Sequence, residues 1–405
     1  MPNIHPFRAV HPSAAYVSRV PICHGDAATP ERIREVVQGN PVNFLTITNA
    51  ESTLSPEDAA DDAKVRSKTK ELYDSYFQSG ILTRDERECL YIWRISREDH
   101  VQTGLVACLD MAEYLEGRIL KHELTRTEKR AHQRKLLENV GGSFEPVQLV
   151  FDASEEEHSL LADRADAHEP TCEFTDANGT FHQVWAIDDP EEIRSLQAAF
   201  GKTDVLYICD GHHRIAAAAE HALEEKEPGK VRFMAILFPA AEMRILDYDR
   251  AVKTIGDLTE EAFLKAIEEQ GFTVEALGTE PVAPRCQTEY TMVMGGTWYR
   301  LTYTGAVDTA DPVASLGVSI LQDRVLRNIL GIDDPQNDER LVFISGNKGL
   351  TALQEASETD CKAAFAIAPV DIRSIMAVAD AGLTMPPKST YFDPKPLGGL
   401  LIHEL

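Results

Sequence analysis

Asp210-Gly211-His212-His213-Arg214 gathers a carboxylate, two imidazoles and a guanidinium around one glycine, directly after the apolar run 205–209. That run reads as a buried strand, and 215–222, alanine-rich and free of Gly and Pro, reads as a helix. The polar cluster therefore falls on a strand-to-helix turn, where unpaired backbone N–H groups and the positive helix end favour anions. Gly211 lets the backbone turn sharply and approach a ligand closely. Arg214 adds a planar fork suited to phosphate or carboxylate, and His212 and His213 supply donors or acid–base groups near neutral pH. The plainer alternative makes Asp210 an N-cap, Gly211 a turn residue and Arg214 a solvated side chain. Five such residues together behind an apolar strand favour a phosphate-handling turn.

A second cluster is Lys121-His122-Glu123-Leu124-Thr125-Arg126, followed by Lys129, Arg130 and Arg134. On a helix Glu123 and Arg126 share a face. A carboxylate held among cations stays ionised, and it can orient a substrate hydroxyl or hold Mg²⁺. The competing view is an amphipathic helix with surface ion pairs. His122-Glu123 does not open a zinc-protease HExxH motif, because position 126 is Arg. A third cluster, Pro386-Pro387-Lys388-Ser389-Thr390-Tyr391-Phe392, combines rigid prolines, a cation and hydroxyl donors. Ser389 and Thr390 serve either phosphate or local backbone caps. The glycines near 295 and 345 match neither a Walker loop nor a dinucleotide fingerprint.

The elements that must position these residues are bounded by composition. A chain of 405 residues leads us to expect two or more core-forming units. Forty basic against 66 acidic residues, a formal charge of -26, argues against a broad duplex-binding surface. The first residues lack an apolar signal core, and no run approaches the ~20 apolar residues of a membrane span. Seven scattered cysteines without a CxxC pair fit reduced thiols in a cytoplasm, with Cys209 as core filler.

Along the chain, 31–39 reads as a helix, 43–48 as a strand and 56–79 as one long charged helix. Residues 89–96 and 101–109 suggest a hairpin, and a polar helix runs from near 127 to before Gly141. A strand at 146–151, an acidic helix, a hairpin around 176–179, a helix at 190–200 and a strand at 231–239 follow. Beyond 257 we expect a helix, strands near 271–276, 288–294 and 297–304, and a helix over 315–330. Strands near 341–345 and 364–368 and a helix over 371–381 complete the pattern. Hairpins mixed with strand–helix alternation predict an α/β (α+β) fold with mixed sheets and flanking helices.

At these residues the chain resembles a bacterial and archaeal family known as domain of unknown function 1015. The resemblance runs through Ile4-His5-Pro6-Phe7-Arg8, Gly39-Asn40-Pro41 with Phe44-Leu45, and Gln102-Thr103-Gly104. It continues through Lys121-His122-Glu123 with Thr125-Arg126 and Lys129, then Asp210 to Arg214. Arg244-Ile245-Leu246-Asp247-Tyr248 and Pro386-Pro387-Lys388-Ser389-Thr390 complete it. Two stretches depart from the family pattern: Pro21-Ile22-Cys23-His24-Gly25-Asp26 stands where a Pro-Tyr-Asp-Val stretch is usual, and Asp249 where Asn is usual. The 210–214 turn is also similar to the nucleotide-binding box of the ParB/sulfiredoxin superfamily, which includes kinases acting on free serine.

The resemblance implies a ParB/sulfiredoxin-like core in 1–256 and an α+β region in 257–405 whose tail packs back on the core. It implies that Gly211, His212, His213 and Arg214 hold the phosphates of ATP or ADP. Asp210 or Glu123, with His122, would position or deprotonate the acceptor hydroxyl, and Arg126, Lys388, Ser389 and Thr390 would bind substrate. Asp210 beside a phosphate is repulsive unless a cation intervenes, which points to Mg²⁺ on Asp210. The leading expectation is a phosphotransferase acting on a small hydroxylated metabolite, with free L-serine the specific candidate. A nucleotide-binding regulatory protein is the second reading, and a metal-dependent hydrolase using His122, His212 and His213 the third. The expected partner is a small molecule rather than a membrane or nucleic acid, with a homo-oligomer left open.

Overall fold

The apolar runs before residue 240 pair into one mixed sheet because several of them are buried on both faces. A computed structural model describes residues 3–23 and 25–405, so His24 in the departing stretch 21–26 lies outside the described residues. The strands of this part are β1 (Ile4–His5), β2 (Val10–Pro12), β3 (Leu82–Arg84), β4 (Leu90–Arg97), β5 (His100–Asp110) and β6 (Ile119–Leu120). They continue with β7 (Gly142–Ser143), β8 (Val147–Phe151), β9 (Cys172–Thr175), β10 (Phe181–Ile187), β11 (Leu206–Asp210) and β12 (Arg232–Pro239). Nine of them form a sheet ordered β6-β11-β8-β12-β5-β4-β10-β9, with β1 on the end of β5. The β11–β6 and β12–β8 pairs are parallel, and the β4–β5 hairpin and its neighbours are antiparallel. The α+β expectation holds.

Gly104 on β5 shows why a small residue sits mid-strand. A Cβ there would lie 2.7 Å from both Ile236 Cγ1 and Phe238 Cε1 on β12, so only glycine permits this spacing. Helices α1 (Pro30–Gly39), α2 (Asp62–Gln78), α3 (Thr127–Val140), α4 (Glu155–Ala167), α5 (Pro190–Phe200) and α6 (His212–Ala222) accompany the sheet. Leu161 of α4, Leu196 and Phe200 of α5, and Ile215 and Ala219 of α6 share one core with Leu149, Ile208 and Leu237.

Two local expectations are corrected. Residues 43–48 are not a strand: Asn43 Oδ1 accepts the Leu45 N–H and starts a short buried helix, Leu45–Thr48. The single helix over 56–79 is instead a turn of helix at Pro56–Ala59 and then α2, because the Asp61 carboxylate accepts the Ala63 and Lys64 amides and caps a new start.

The chain divides into two compact units. The first runs through Leu120 and adds Leu124–Met243 and Pro394–Leu405; the second comprises Lys121–Glu123 and Arg244–Asp393. The division thus falls at Met243 rather than near 256. Strand β14 (Tyr248–Val252) explains this, since both of its partners come from the C-terminal region. The tail returns to the first unit through His403–Glu404, which pairs with β7, and through a bidentate Arg84–Glu404 ion pair.

In the second unit β13 (Ile245–Leu246) precedes β14, followed by β15 (Phe272–Gly278), β16 (Glu289–Met294), β17 (Thr297–Tyr303), β18 (Leu341–Ser345), β19 (Ala363–Ile367) and β20 (Tyr391–Phe392). Six strands order as β15-β17-β16-β19-β14-β18, and β13 pairs with β20. The helices are α7 (Glu260–Glu269), α8 (Gly349–Glu358) and α9 (Ile372–Asp380). The helix expected over 315–330 is α-helical only over Gly317–Leu321 and continues as a wider i→i+5 helix over Gln322–Arg327. Among the described residues no helix is long and apolar enough to cross a membrane.

Candidate functional site

Strand β11 delivers Asp210 to the edge of a turn by a local irregularity. Its register against β8 runs Ile208 opposite Leu149, then Asp210 opposite Gln148, so Cys209 is an extra, bulged residue. Such bulges re-aim the side chain that follows. Gly211 then adopts φ +96°, a left-handed conformation that L side chains rarely take. A Cβ at this position would also lie 2.9 Å from Arg214 Nη2 and 3.0 Å from its Nε. Backbone conformation and close approach both demand glycine here.

Helix α6 starts at His212, so His212, His213 and Arg214 form its first turn, and no side chain caps them. Helix α3 likewise begins after Arg126 without a side-chain cap. Its neighbours in the first unit are treated differently: Thr29, Asp61, Ser154 and Asp189 cap α1, α2, α4 and α5. The two uncapped starts are joined, since the Arg126 N–H donates to His213 Nε2 at 3.1 Å. Ion pairs Arg130–Glu220 (2.8 Å) and Arg134–Glu224 (2.6 Å) hold α3 alongside α6. Residues 124–134 of the first unit therefore meet the 210 turn through Arg126. Two positive helix ends converge, and amides without intrahelical partners accompany them.

The charged groups under the turn form a connected set. Arg214 Nη2 contacts Asp210 Oδ2 at 3.0 Å and the Pro146 carbonyl at 3.1 Å, while Nη1 contacts Glu145 Oε1 at 2.7 Å. Lys395 Nζ reaches Asp210 Oδ1 at 2.5 Å. Burial alone would raise the Asp210 pKa, but Lys395 and Arg214 outweigh it and hold the carboxyl well below its usual range. Asp210 is consequently ionised and a weak base. Burial raises Glu145, only partly offset by Arg214. The Arg214 guanidinium is thus engaged in holding Asp210, Glu145 and the β8 approach.

His213 is the neutral member of the cluster. Burial lowers its pKa first, and the charges of Lys129, Arg126 and Arg130 lower it further, to about 4. Accepting the Arg126 amide through Nε2 fixes its remaining proton on Nδ1. In an NMR titration from pH 8 to pH 4, His213 is expected to show the Nδ1–H tautomer and stay neutral well below pH 6.5. A midpoint at or above 6.5 would contradict this geometry.

The remaining predicted residues lie in the second unit. The Met385 N–H donates to the His122 carbonyl at 2.8 Å, which brings His122 and Glu123 alongside the 386–390 segment. His122 is 2% exposed. Arg250 Nη2 donates to the Pro387 carbonyl at 2.9 Å, and Lys388, at φ +55°, sets its ammonium 5.2 Å from the Tyr248 ring centroid. The Ser389 hydroxyl donates to the Pro386 carbonyl at 2.6 Å, a local cap, and Thr390 follows it into β20. Among the described residues no group of three or more His, Cys, Asp or Glu side chains could hold a metal ion. His213 Nε2 accepts the Arg126 N–H, so that nitrogen is not open to a metal ion.

Sequence reasoning missed Lys395, Glu145 and Gln102. Buried Gln102 donates to the Pro394 carbonyl at 3.2 Å and so anchors the tail next to Lys395. The available signal was Pro394-Lys395-Pro396, a cation between rigid prolines like the one weighed at Lys388.

Residues 4–319 match the family model described as "Protein of unknown function (DUF1015)". The chain belongs to the DUF1015 family. No curated protein matches this DUF1015 member. Among solved structures it is similar to a free serine kinase in complex with AMP, at 15% identity and TM-score 0.37, over 71% of this chain and 86% of that one. A conserved hypothetical protein from Pyrococcus furiosus gives 13% identity and TM-score 0.36, over 73% and 93% of the two chains. A C-terminally truncated SbnI from Staphylococcus aureus gives 13% and 0.38, over 72% and 85%. Likenesses this loose carry no inference about fold or chemistry.

Proposed function

We propose that this DUF1015 protein binds the phosphates of ATP or ADP at the β11–α6 turn and transfers a phosphoryl group to a small hydroxylated metabolite, with free L-serine the specific candidate. The observation that carries the reading is the pairing of two uncapped helix starts through Arg126 and His213, in a unit whose other long helices are capped. Phosphoryl transfer is catalysed mainly by positioning and charge neutralisation, which such amides and nearby cations supply. The ParB/sulfiredoxin-like character of the turn belongs to this same proposal.

In this reading the first-turn amides of His212, His213 and Arg214 receive phosphate oxygens, with Gly211 setting their direction. Arg214 acts as a positioning residue, because Asp210, Glu145 and Pro146 occupy its guanidinium. Lys395 supplies the cation that lets Asp210 stand beside phosphate. Both Asp210 oxygens are already held by cations, so the donor set does not fit a protein-bound Mg²⁺, and no step is assigned to one. Asp210 is ionised and weakly basic; Glu123, with His122, keeps the acceptor-hydroxyl role that the family resemblance implies. Arg126, Lys388, Ser389 and Thr390 are assigned to substrate binding.

The test is to incubate the purified protein with ATP or ADP, with and without Mg²⁺, and a pool of hydroxylated metabolites, and to seek a phosphorylated product by mass spectrometry. A product is expected, and Glu123→Gln should reduce its rate by roughly 10²–10⁴-fold while nucleotide affinity stays within a few-fold. Nucleotide binding with no product across a wide panel would move the assignment to a non-catalytic regulatory protein.

A further inference from the structure

A cavity of about 280 Å³ opens in the first unit, away from the β11–α6 turn. Its floor is apolar: Val184, Leu400 and Leu401 are each at most 3% exposed. One end carries His11, Asp85 and Tyr91, a cluster that no motif in the sequence suggested because its members come from β2, the end of β3 and β4. An apolar cavity of about 150 Å³ already takes a benzene ring. Apolar walls with a few convergent polar groups are the usual make-up of a small-molecule site.

The polar end is set by its hydrogen-bond partners: burial lowers the His11 pKa, but Asp85 and the Pro12 carbonyl outweigh it and raise it. His11 Nδ1 faces the Pro12 carbonyl at 3.0 Å, and Nε2 faces Asp85 Oδ1 at 3.3 Å. Both neighbours are acceptors, so both ring nitrogens carry hydrogen and the ring is an imidazolium. The Tyr91 hydroxyl accepts the Ala9 N–H at 3.0 Å and donates to Asp85 Oδ2 at 2.6 Å. Every donor of His11 and Tyr91 is therefore spent. The unspent capacity belongs to Asp85, whose two oxygens each keep a lone pair. Its side chain is 20% exposed, so a ligand in the cavity can reach it. The Asp85 and His11 charges cancel, which removes the advantage of a charged ligand. Cys172 also lines the cavity, where burial pushes its thiol up to about 11.

We infer that this cavity is a second ligand site, taking a small uncharged molecule with an apolar body, such as one aromatic ring, and a hydroxyl that donates to Asp85. A carboxylate head would set acceptor against acceptor, and an ammonium would meet the imidazolium.

The test titrates the full-length protein with 2-phenylethanol, phenethylamine and phenylacetate, which share a body and differ in head group. The alcohol should bind best, with phenylacetate weaker by roughly tenfold or more. Ala14→Trp, at an exposed lining position, should abolish alcohol binding while leaving the melting temperature and any ADP binding unchanged. No binding by the alcohol, equal binding by all three, tightest binding by the amine or acid, or undiminished binding in Ala14→Trp would each overturn the assignment. None of these outcomes depends on whether the β11–α6 turn takes a nucleotide.

Discussion

Gly211→Ala is expected to weaken ADP binding by roughly a hundredfold, through the loss of about two charge-assisted hydrogen bonds. The new methyl group meets two obstacles. The φ of +96° costs an L side chain about 1–2 kcal/mol. The Cβ would also sit 2.9 Å from Arg214 Nη2, and that guanidinium is pinned by Glu145, Asp210 and the Pro146 carbonyl, so it has little room to yield. Relief requires the turn itself to move, which re-aims the amides of His212 and His213. Stability should fall by about 1–3 kcal/mol, leaving the chain folded. Calorimetric titration with ADP beside a thermal melt separates the two effects, and an affinity within twofold of the parent would remove the turn from the binding account.

Arg214→Ala should cost the most stability of any single change beneath the turn. It leaves Asp210 and Glu145 as neighbouring carboxylates without their shared cation, and breaking a buried ion pair costs about 3–5 kcal/mol. The side chains are 17%, 27% and 32% exposed for Arg214, Asp210 and Glu145, so solvent screening brings the expectation to about 2–3 kcal/mol. The pH dependence should change as well. In the parent, the Asp210 pKa lies below its ordinary value of 3.8, so its contribution is complete above that value and fades as pH falls through the lower, folded one. Without Arg214 the repelling carboxylates favour protonation in the folded state, so acidification from pH 6 towards 4 should raise the variant's melting temperature relative to the parent. Melts across that window check this, and curves that run parallel in the two proteins would show that Arg214 does not govern the pair. Arg214→Ala/Glu145→Gln should recover part of the loss.

Much of the first unit was legible because its signals are local. The β4–β5 hairpin, the helix after Arg126, and the strand–turn–helix around Gly211 follow from apolar runs, glycine and unbroken helix formers. Misreadings occurred where a side chain redirected the backbone. Asn43 bent a β-branched stretch into a helix, and Asp61 restarted a helix that composition alone would continue. Helix α8 went unread because Gly346 and Gly349 make its start resemble a loop. The site's hidden members lie far apart in sequence: Lys395 is 185 residues from Asp210, and Glu145 contacts Arg214 across a separate strand. The insertion of Lys121–Glu123 into the second unit also escaped a linear reading, since a backbone partner of His122, Met385, lies more than 260 residues further along the chain. Residue type and spacing reveal a turn; long-range pairing decides which charges it keeps.

The most direct measurement is isothermal titration of the full-length protein with ADP and ATP, each with and without Mg²⁺, alongside the Gly211→Ala and Lys395→Met variants. The account predicts saturable binding that persists without the metal, weakens in Lys395→Met and is nearly lost in Gly211→Ala. Absence of binding by either nucleotide under both conditions, or full-strength binding by Gly211→Ala, would contradict it.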